Sequence, residues 1–206
     1  MAELFIELFS EEIPSKLQIN AREKIKRTIE EKLNKREIKF NSSRSFSTPQ
    51  RLVFVIDGIS EKRIQKQKVI KGPKTGAPQA AVDGFIKSNN LNKSDIYKKN
   101  IEKGEFYFAK TKLKVVSILE ELKSIIPETL RDYSWKKSMK WSNHDLSWGR
   151  PLKSIIALLD NKVIDFNFFH LQSKNLTSID EADENKQKEV NNFKSYLSLL
   201  KSKNII

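Results

Sequence analysis

The chain has 206 residues, 39 Lys and Arg against 26 Asp and Glu, two His and no Cys, giving a formal charge of +13. The lack of Cys excludes disulfides, thiol nucleophiles, thiolate zinc sites and iron–sulfur clusters, and His144 and His170 alone offer little for a His-built metal site or triad. No run approaches the roughly 18 apolar residues of a membrane helix, and the opening Met-Ala-Glu-Leu-Phe-Ile-Glu lacks the basic start of a signal peptide, so a reduced, cytoplasmic protein is expected.

Residues 3–9, Glu-Leu-Phe-Ile-Glu-Leu-Phe, read as a strand. Ser10, Glu11, Glu12 and Pro14 read as a helix start, with a capping hydroxyl, acids at the positive end and an early proline. The helix is expected to reach Asn34, with Leu17, Ala21, Ile25, Ile29 and Leu33 on one face. A strand over 51–57 and another over 64–70 follow, then a Gly/Pro-rich loop at 71–78. A helix at 79–89 precedes strands at 95–101 and 105–112, paired through a turn at Lys103-Gly104. A longer helix at 115–131 carries Ile118, Leu122 and Ile125 on one side, and Pro127 predicts a break or kink. Residues 152–159 and 162–169 read as a hairpin turning at Asp160-Asn161. Residues 172–188 are polar and acidic and read as a linker before a last helix at about 189–202.

The expected fold is α+β, with antiparallel strands packed on two or three helices and a C-terminal helix beyond the linker. The expected domains are 1–171, with a subdomain break near 71–78, then the linker 172–188, then 189–206. Ending on Ile205-Ile206 just after a helix reads as the start of a further, truncated segment.

The positive charge has two available sources. It supports contact with a polyanion, since each phosphate contact releases counterions. Lys outnumbers Arg 31 to 8 beside 22 Ile and 15 Asn, so composition bias is the second source. The balance is +5 over residues 1–70, +7 over 71–150 and +1 thereafter.

The loop Gly72-Pro73-Lys74-Thr75-Gly76 lacks P-loop spacing, and Pro73 removes a backbone N–H that a phosphate cradle would use. It reads as an ordered turn displaying Lys71 and Lys74. Residues 135–151 interleave Trp135, Trp141 and Trp148 with Lys136, Lys137, Lys140 and Arg150, a pattern suited to RNA. A strand at 137–141 would put Met139 and Trp141 in the core and Lys140 outward, so the tryptophans read as structural and the flanking cations as phosphate contacts. Glu11-Glu12 fits capping better than acid–base work. His144-Asp145 has no accompanying nucleophile motif, and His170 closes an apolar strand. No catalytic residue and no metal site are assigned.

In order, seven pieces resemble the N-terminal region of the bacterial glycyl-tRNA synthetase beta subunit. They are residues 3–14, Thr-Pro-Gln-Arg-Leu (48–52), Lys-Gly-Pro (71–73), Gly-Phe (84–85), Lys-Gly-Glu-Phe-Tyr (103–107), Lys-Ser-Met-Lys-Trp (137–141) and Arg-Pro-Leu-Lys-Ser-Ile-Ile-Ala-Leu-Leu (150–159). The resemblance covers about 1–177. After Thr177 that family tends to continue Arg-Gly-His-Arg-Phe, whereas this chain reads Ser-Ile-Asp-Glu-Ala-Asp-Glu.

The resemblance implies a non-catalytic part of a glycine–tRNA ligase. ATP and Mg would sit on a separate alpha subunit, and this chain would bind no cofactor. Its partners would be that alpha subunit and tRNA(Gly), with neither DNA nor a membrane. Arg51, Lys71, Lys74, Lys136, Lys137, Lys140 and Arg150 are the candidate tRNA contacts, holding the backbone while sequence choice lies elsewhere. Two rivals are an assembly module docking the alpha subunit through helix faces at 115–126 and 189–200, and a free-standing RNA-binding protein.

Overall fold

The computed structural model describes residues 2–60, 62–65, 69–102, 104–110, 114–180 and 186–206. In chain order the first elements are β1 (Ala2–Ser10), α1 (Ser15–Lys35), β2 (Ser42–Thr48), β3 (Arg51–Ile59) and β4 (Lys62–Gln65). Then come β5 (Val69–Lys74), α2 (Gln79–Ser88), β6 (Ile96–Ile101), β7 (Gly104–Lys110), β8 (Lys114–Ser117) and α3 (Ile118–Asp132). The last are β9 (Leu152–Leu159), β10 (Lys162–Val163), β11 (Asn167–Phe168), β12 (Leu171–Lys174), β13 (Leu176–Ser178), β14 (Gln187–Glu189) and α4 (Phe193–Ser202). The fold is α+β. Two compact units divide the chain: residues 1–63 with 117–206, and residues 64–116.

The first unit is built on β1. Its side chains alternate between two faces, and over Leu4–Phe9 both sets are apolar except Glu7, so the strand suits the middle of a sheet covered twice. The sheet order is β11-β12-β9-β1-β3-β2, with β10 also on β9. Pairing is antiparallel except between β12 and β9, which run parallel. On one face Leu4, Ile6 and Leu8 join Leu52, Phe54, Ile155 and Ala157 beneath α1 and α3. Ala21, Ile25, Ile29 and Leu33 supply the α1 stripe, and Ile118, Leu122, Ile125, Ile126 and Leu130 supply the α3 stripe. On the other face Phe5, Val53, Val55, Ile156 and Leu158 meet Phe193, Tyr196 and Leu200 of α4. Outside the core, Arg36, just past the end of α1, reaches three α3 groups: Glu121 at 2.8 Å, Ser124 at 2.7 Å and Glu128 at 3.2 Å.

The second unit holds a three-stranded antiparallel sheet, β5-β7-β6, and α2. Gly104 begins β7 at φ 109, a left-handed value that glycine adopts freely. This unit carries 12 Lys against four acids, so +8 of the chain's +13 falls in residues 64–116.

Several expectations change. Pro127 does not break α3, because Ile125, Ile126, Pro127 and Leu130 are all buried and hold both sides of it on the core. The loop expected at 71–78 begins as strand: Lys71 to Lys74 belong to β5, and a register shift between them absorbs Gly72-Pro73. Along the sequence the boundaries of the two compact units fall at 63/64 and 116/117. The expected linker 172–188 contains most of β12, all of β13 and the start of β14, and Ser173, Thr177 and Ser178 are buried. Its residues 181–185 lie outside the described residues, as do Lys103 and 111–112 of the expected hairpin. Pairing of β13 with β14 delays α4 to Phe193, where Asn192 caps it by accepting from the Ser195 N–H at 2.8 Å. The strand expected at 162–169 is two short ones, β10 on β9 and β11 on β12. Ser10 ends β1 and does not cap α1; its hydroxyl donates to the Glu11 carbonyl, and α1 starts after Pro14. Strand β2, Ser-Ser-Arg-Ser-Phe-Ser-Thr, has no counterpart among the sequence expectations.

Candidate nucleic-acid interface

Between α3 and β9 the chain runs from Tyr133 to Pro151 with little regular structure, yet it is firmly anchored. Tyr133 meets Trp135 edge-on at 5.0 Å, Trp135 meets Trp148 at 5.2 Å, and Trp148 meets Phe168 at 5.8 Å. Trp135 and Trp148 are buried. Met139 and Trp148 exchange both backbone hydrogen bonds, at 2.8 and 3.1 Å. Gly149 lies so close beneath Trp135 that a Cβ there would stand 2.4 Å from the ring. Two tryptophans thus anchor the core. Trp141 is only half-buried and Met139 is 41% exposed, because Met139 forms only an isolated bridge with Trp148 and no strand at 137–141 turns the two side chains inward.

The anchored loop displays Lys136, Lys137 and Lys140, all exposed. Lys140 stands 3.8 Å from Asp145 in an open pair, which holds it weakly. Arg150 is half-buried and donates to the Gly149 carbonyl at 3.0 Å. Beside the loop, a groove of about 670 Å³ is lined by Lys24, Arg27 and Thr28 of α1 with Tyr133 and Lys136. Glu23 and Glu31 also line it, and the Lys26 hydrogen bond holds the Glu23 carboxyl below its usual value despite some burial, so the groove is of mixed sign. Backbone pinned at Trp135 and Trp148 holds these ammonium groups in a cluster with little chain entropy left to lose on meeting phosphates.

The two imidazoles also meet here. His144 and His170 stack at 3.5 Å with 6° between their planes, and Trp141 stands edge-on to both. Burial, and then the neighbouring His144, lower the His170 value below that of an ordinary imidazole. Among the described residues no cluster of three or more His, Asp or Glu is arranged to hold a metal.

Lys71 and Lys74 lie in the second unit, on β5, both exposed; the Lys71 ammonium sits 3.7 Å over the Phe106 ring. Arg51 must be withdrawn as a surface contact. It is 3% exposed and its guanidinium is consumed internally: Nη1 donates to Glu7 at 2.7 Å and to Thr177 at 3.2 Å, and Nη2 donates to the Ser178 carbonyl at 2.7 Å. The Tyr196 hydroxyl donates to the same Glu7 oxygen at 2.7 Å, and burial, with Glu7 next, pushes that hydroxyl's pKa far up. A carboxylate interrupting an apolar strand demands such a partner. That interruption at Glu7 was the readable sign of this network.

These features define a basic α+β protein whose cations lie on an anchored loop and on the strands of an inserted unit. A family model described as "Glycyl-tRNA synthetase beta subunit" matches residues 4–206, and the chain belongs to that family. It is similar to the glycine–tRNA ligase beta subunits of Rickettsia bellii (36% identical), Rickettsia canadensis (35%) and Rickettsia akari (34%). Each match covers all of this chain and 31% of the relative, so the chain spans about a third of their length. Two of the motifs that carry the likeness, Glu7 in residues 3–14 and Arg51 in residues 48–52, meet in the buried ion pair.

Proposed function

We propose that the chain is a non-catalytic, tRNA-supporting part of a glycine–tRNA ligase: it grips tRNA(Gly) by its backbone while an alpha subunit performs the ATP-dependent aminoacylation. The relatives' names call them beta subunits of a glycine–tRNA ligase, which supports an alpha partner. One observation carries the grip: Lys136, Lys137 and Lys140 project from a single loop held at both ends by buried tryptophans. Arg150, Lys71 and Lys74 are secondary contacts in this reading, and Arg51 has no part in it. Any ATP and Mg belong to the alpha subunit, and the setting is cytoplasmic; among the described residues no helix is long and apolar enough to cross a membrane.

The test replaces Lys136, Lys137 and Lys140 together with Glu. Affinity for tRNA(Gly) at low salt should fall by at least about ten-fold, with thermal unfolding unchanged because all three side chains are exposed. Unchanged affinity contradicts the assignment. The assembly alternative loses the surfaces first assigned to it. The apolar faces of α3 and α4 are buried against the sheet, with Ile118, Leu122 and Ile125 at 0% exposure.

A further inference from the structure

In the second unit the register of β5, β7 and β6 sorts side chains onto two faces. Tyr97 pairs with Phe108, Lys99 with Phe106, Lys71 with Phe108, Lys74 with Phe106 and Val69 with Lys110, so these residues share one face. The contacts agree. Tyr97 stacks on Phe108 at 6.2 Å, Lys99 lies 5.9 Å over Phe108, and Lys71 lies 3.7 Å over Phe106. The opposite face takes Ala109, which is fully buried, and on that side Phe85 of α2 nearly touches Gly72.

The first face is open. Lys71, Lys74, Lys99 and Lys110 are exposed, Tyr97 is 38% and Val69 56% exposed, and Phe106 and Phe108 are half-buried. Glu105 pairs with Asn100, out of phase with this set, so the face carries four ammonium groups and no strand carboxylate among the described residues. Three aromatic rings, Phe106 and Phe108 on the middle strand and Tyr97 on the edge strand β6, ringed by lysines, fit a partner with both flat π surfaces and a polyanionic backbone. Charge complementarity is strong, since the unit as a whole carries +8. A double helix hides its base faces, so it could use only the lysines.

We infer that this sheet face binds single-stranded RNA, with bases stacking on Tyr97, Phe106 and Phe108 and the ammonium groups of Lys71, Lys74, Lys99 and Lys110 on the phosphates. This rests on and deepens the tRNA reading by adding a site for unpaired nucleotides, and all of its residues lie outside the 136–140 loop.

The test measures binding of a fluorescent unpaired RNA of about eight nucleotides to the full chain, beside an RNA duplex of the same charge. The parent should prefer the single strand. Tyr97→Ala should weaken that binding about ten-fold, and Tyr97→Phe should keep it. Lys99→Gln with Lys110→Gln should lower the salt slope of single-strand binding by about 1.4, at roughly 0.7 per phosphate contact. Tyr97, Lys99 and Lys110 are exposed, so unfolding should match the parent. Equal affinity for duplex and single strand, or unchanged binding in Tyr97→Ala, overturns the inference. So does a Tyr97→Ala loss seen only in association with the alpha subunit, which would make the face a protein surface. The Lys136/Lys137/Lys140 reversal separates the two readings: if it spares tRNA binding while Tyr97→Ala abolishes oligonucleotide binding, the loop assignment fails and the sheet face stands.

Discussion

Arg51 shows how one residue's surroundings decide its role. Seen in the sequence beside Pro49 and Gln50, it is another cation on a basic chain. In the fold it is the counter-ion of Glu7, which has no exposure at all. Removing one partner leaves the other charged and dry, so Arg51→Ala should cost about 3–5 kcal/mol in denaturant unfolding. Lys137→Ala, at an exposed position, should cost less than about 0.5 kcal/mol. Tyr196→Phe removes one charge-assisted hydrogen bond to Glu7 and should cost about 1.5–3 kcal/mol by the same measurement. Gly149→Ala places a methyl against the Trp135 ring and should destabilise by about 1–3 kcal/mol. None of this pairing is visible from spacing, because the partners are 44 and 189 residues apart.

At the scale of elements, patterning was legible wherever one face of an element is apolar and the other wet. The α1 stripe at four-residue spacing, the α3 stripe and the apolar β1 run all stand where periodicity predicts them. Strand β2 is illegible because it is a sheet edge of mostly polar side chains, none of them fully buried. The sequence of β12 and β13 resembles a linker because their few buried groups are Ser173, Thr177 and Ser178, satisfied by hydrogen bonds and not by apolar packing. The candidate site was half legible: the lysines of 136–140 are where the sequence puts them, on the surface. The aromatic–lysine face of β5-β7-β6 needed the register to bring Tyr97, Lys99, Phe106 and Phe108 together.

The His144–His170 stack ties the 141–144 turn to the β11–β12 turn. Burial, then His144, lower the His170 value. The unfolded chain therefore takes up that proton first as pH falls through about 6.5, and folded stability is lost through and below that point. The parent should lose more melting temperature between about pH 8 and about pH 5 than His170→Gln does. Equal losses would mean the stack carries no titration penalty.

For the whole molecule, the charge excess is organised by unit. Residues 64–116 hold +8 of the +13, and the first unit spends many of its cations on ion pairs such as Arg36–Glu121, Lys32–Asp132 and Arg44–Asp57. Composition bias can raise a lysine count, but it does not place three lysines on one loop anchored by tryptophans. The measurement that bears most directly on the proposed grip is the salt dependence of tRNA(Gly) binding. Parent protein is compared with Lys136→Gln/Lys137→Gln/Lys140→Gln by titration across a range of ionic strength. If the loop neutralises phosphates, the slope of log K against log salt should shrink by roughly two to three in the variant, at about 0.9 per lost contact. An unchanged slope would contradict the account.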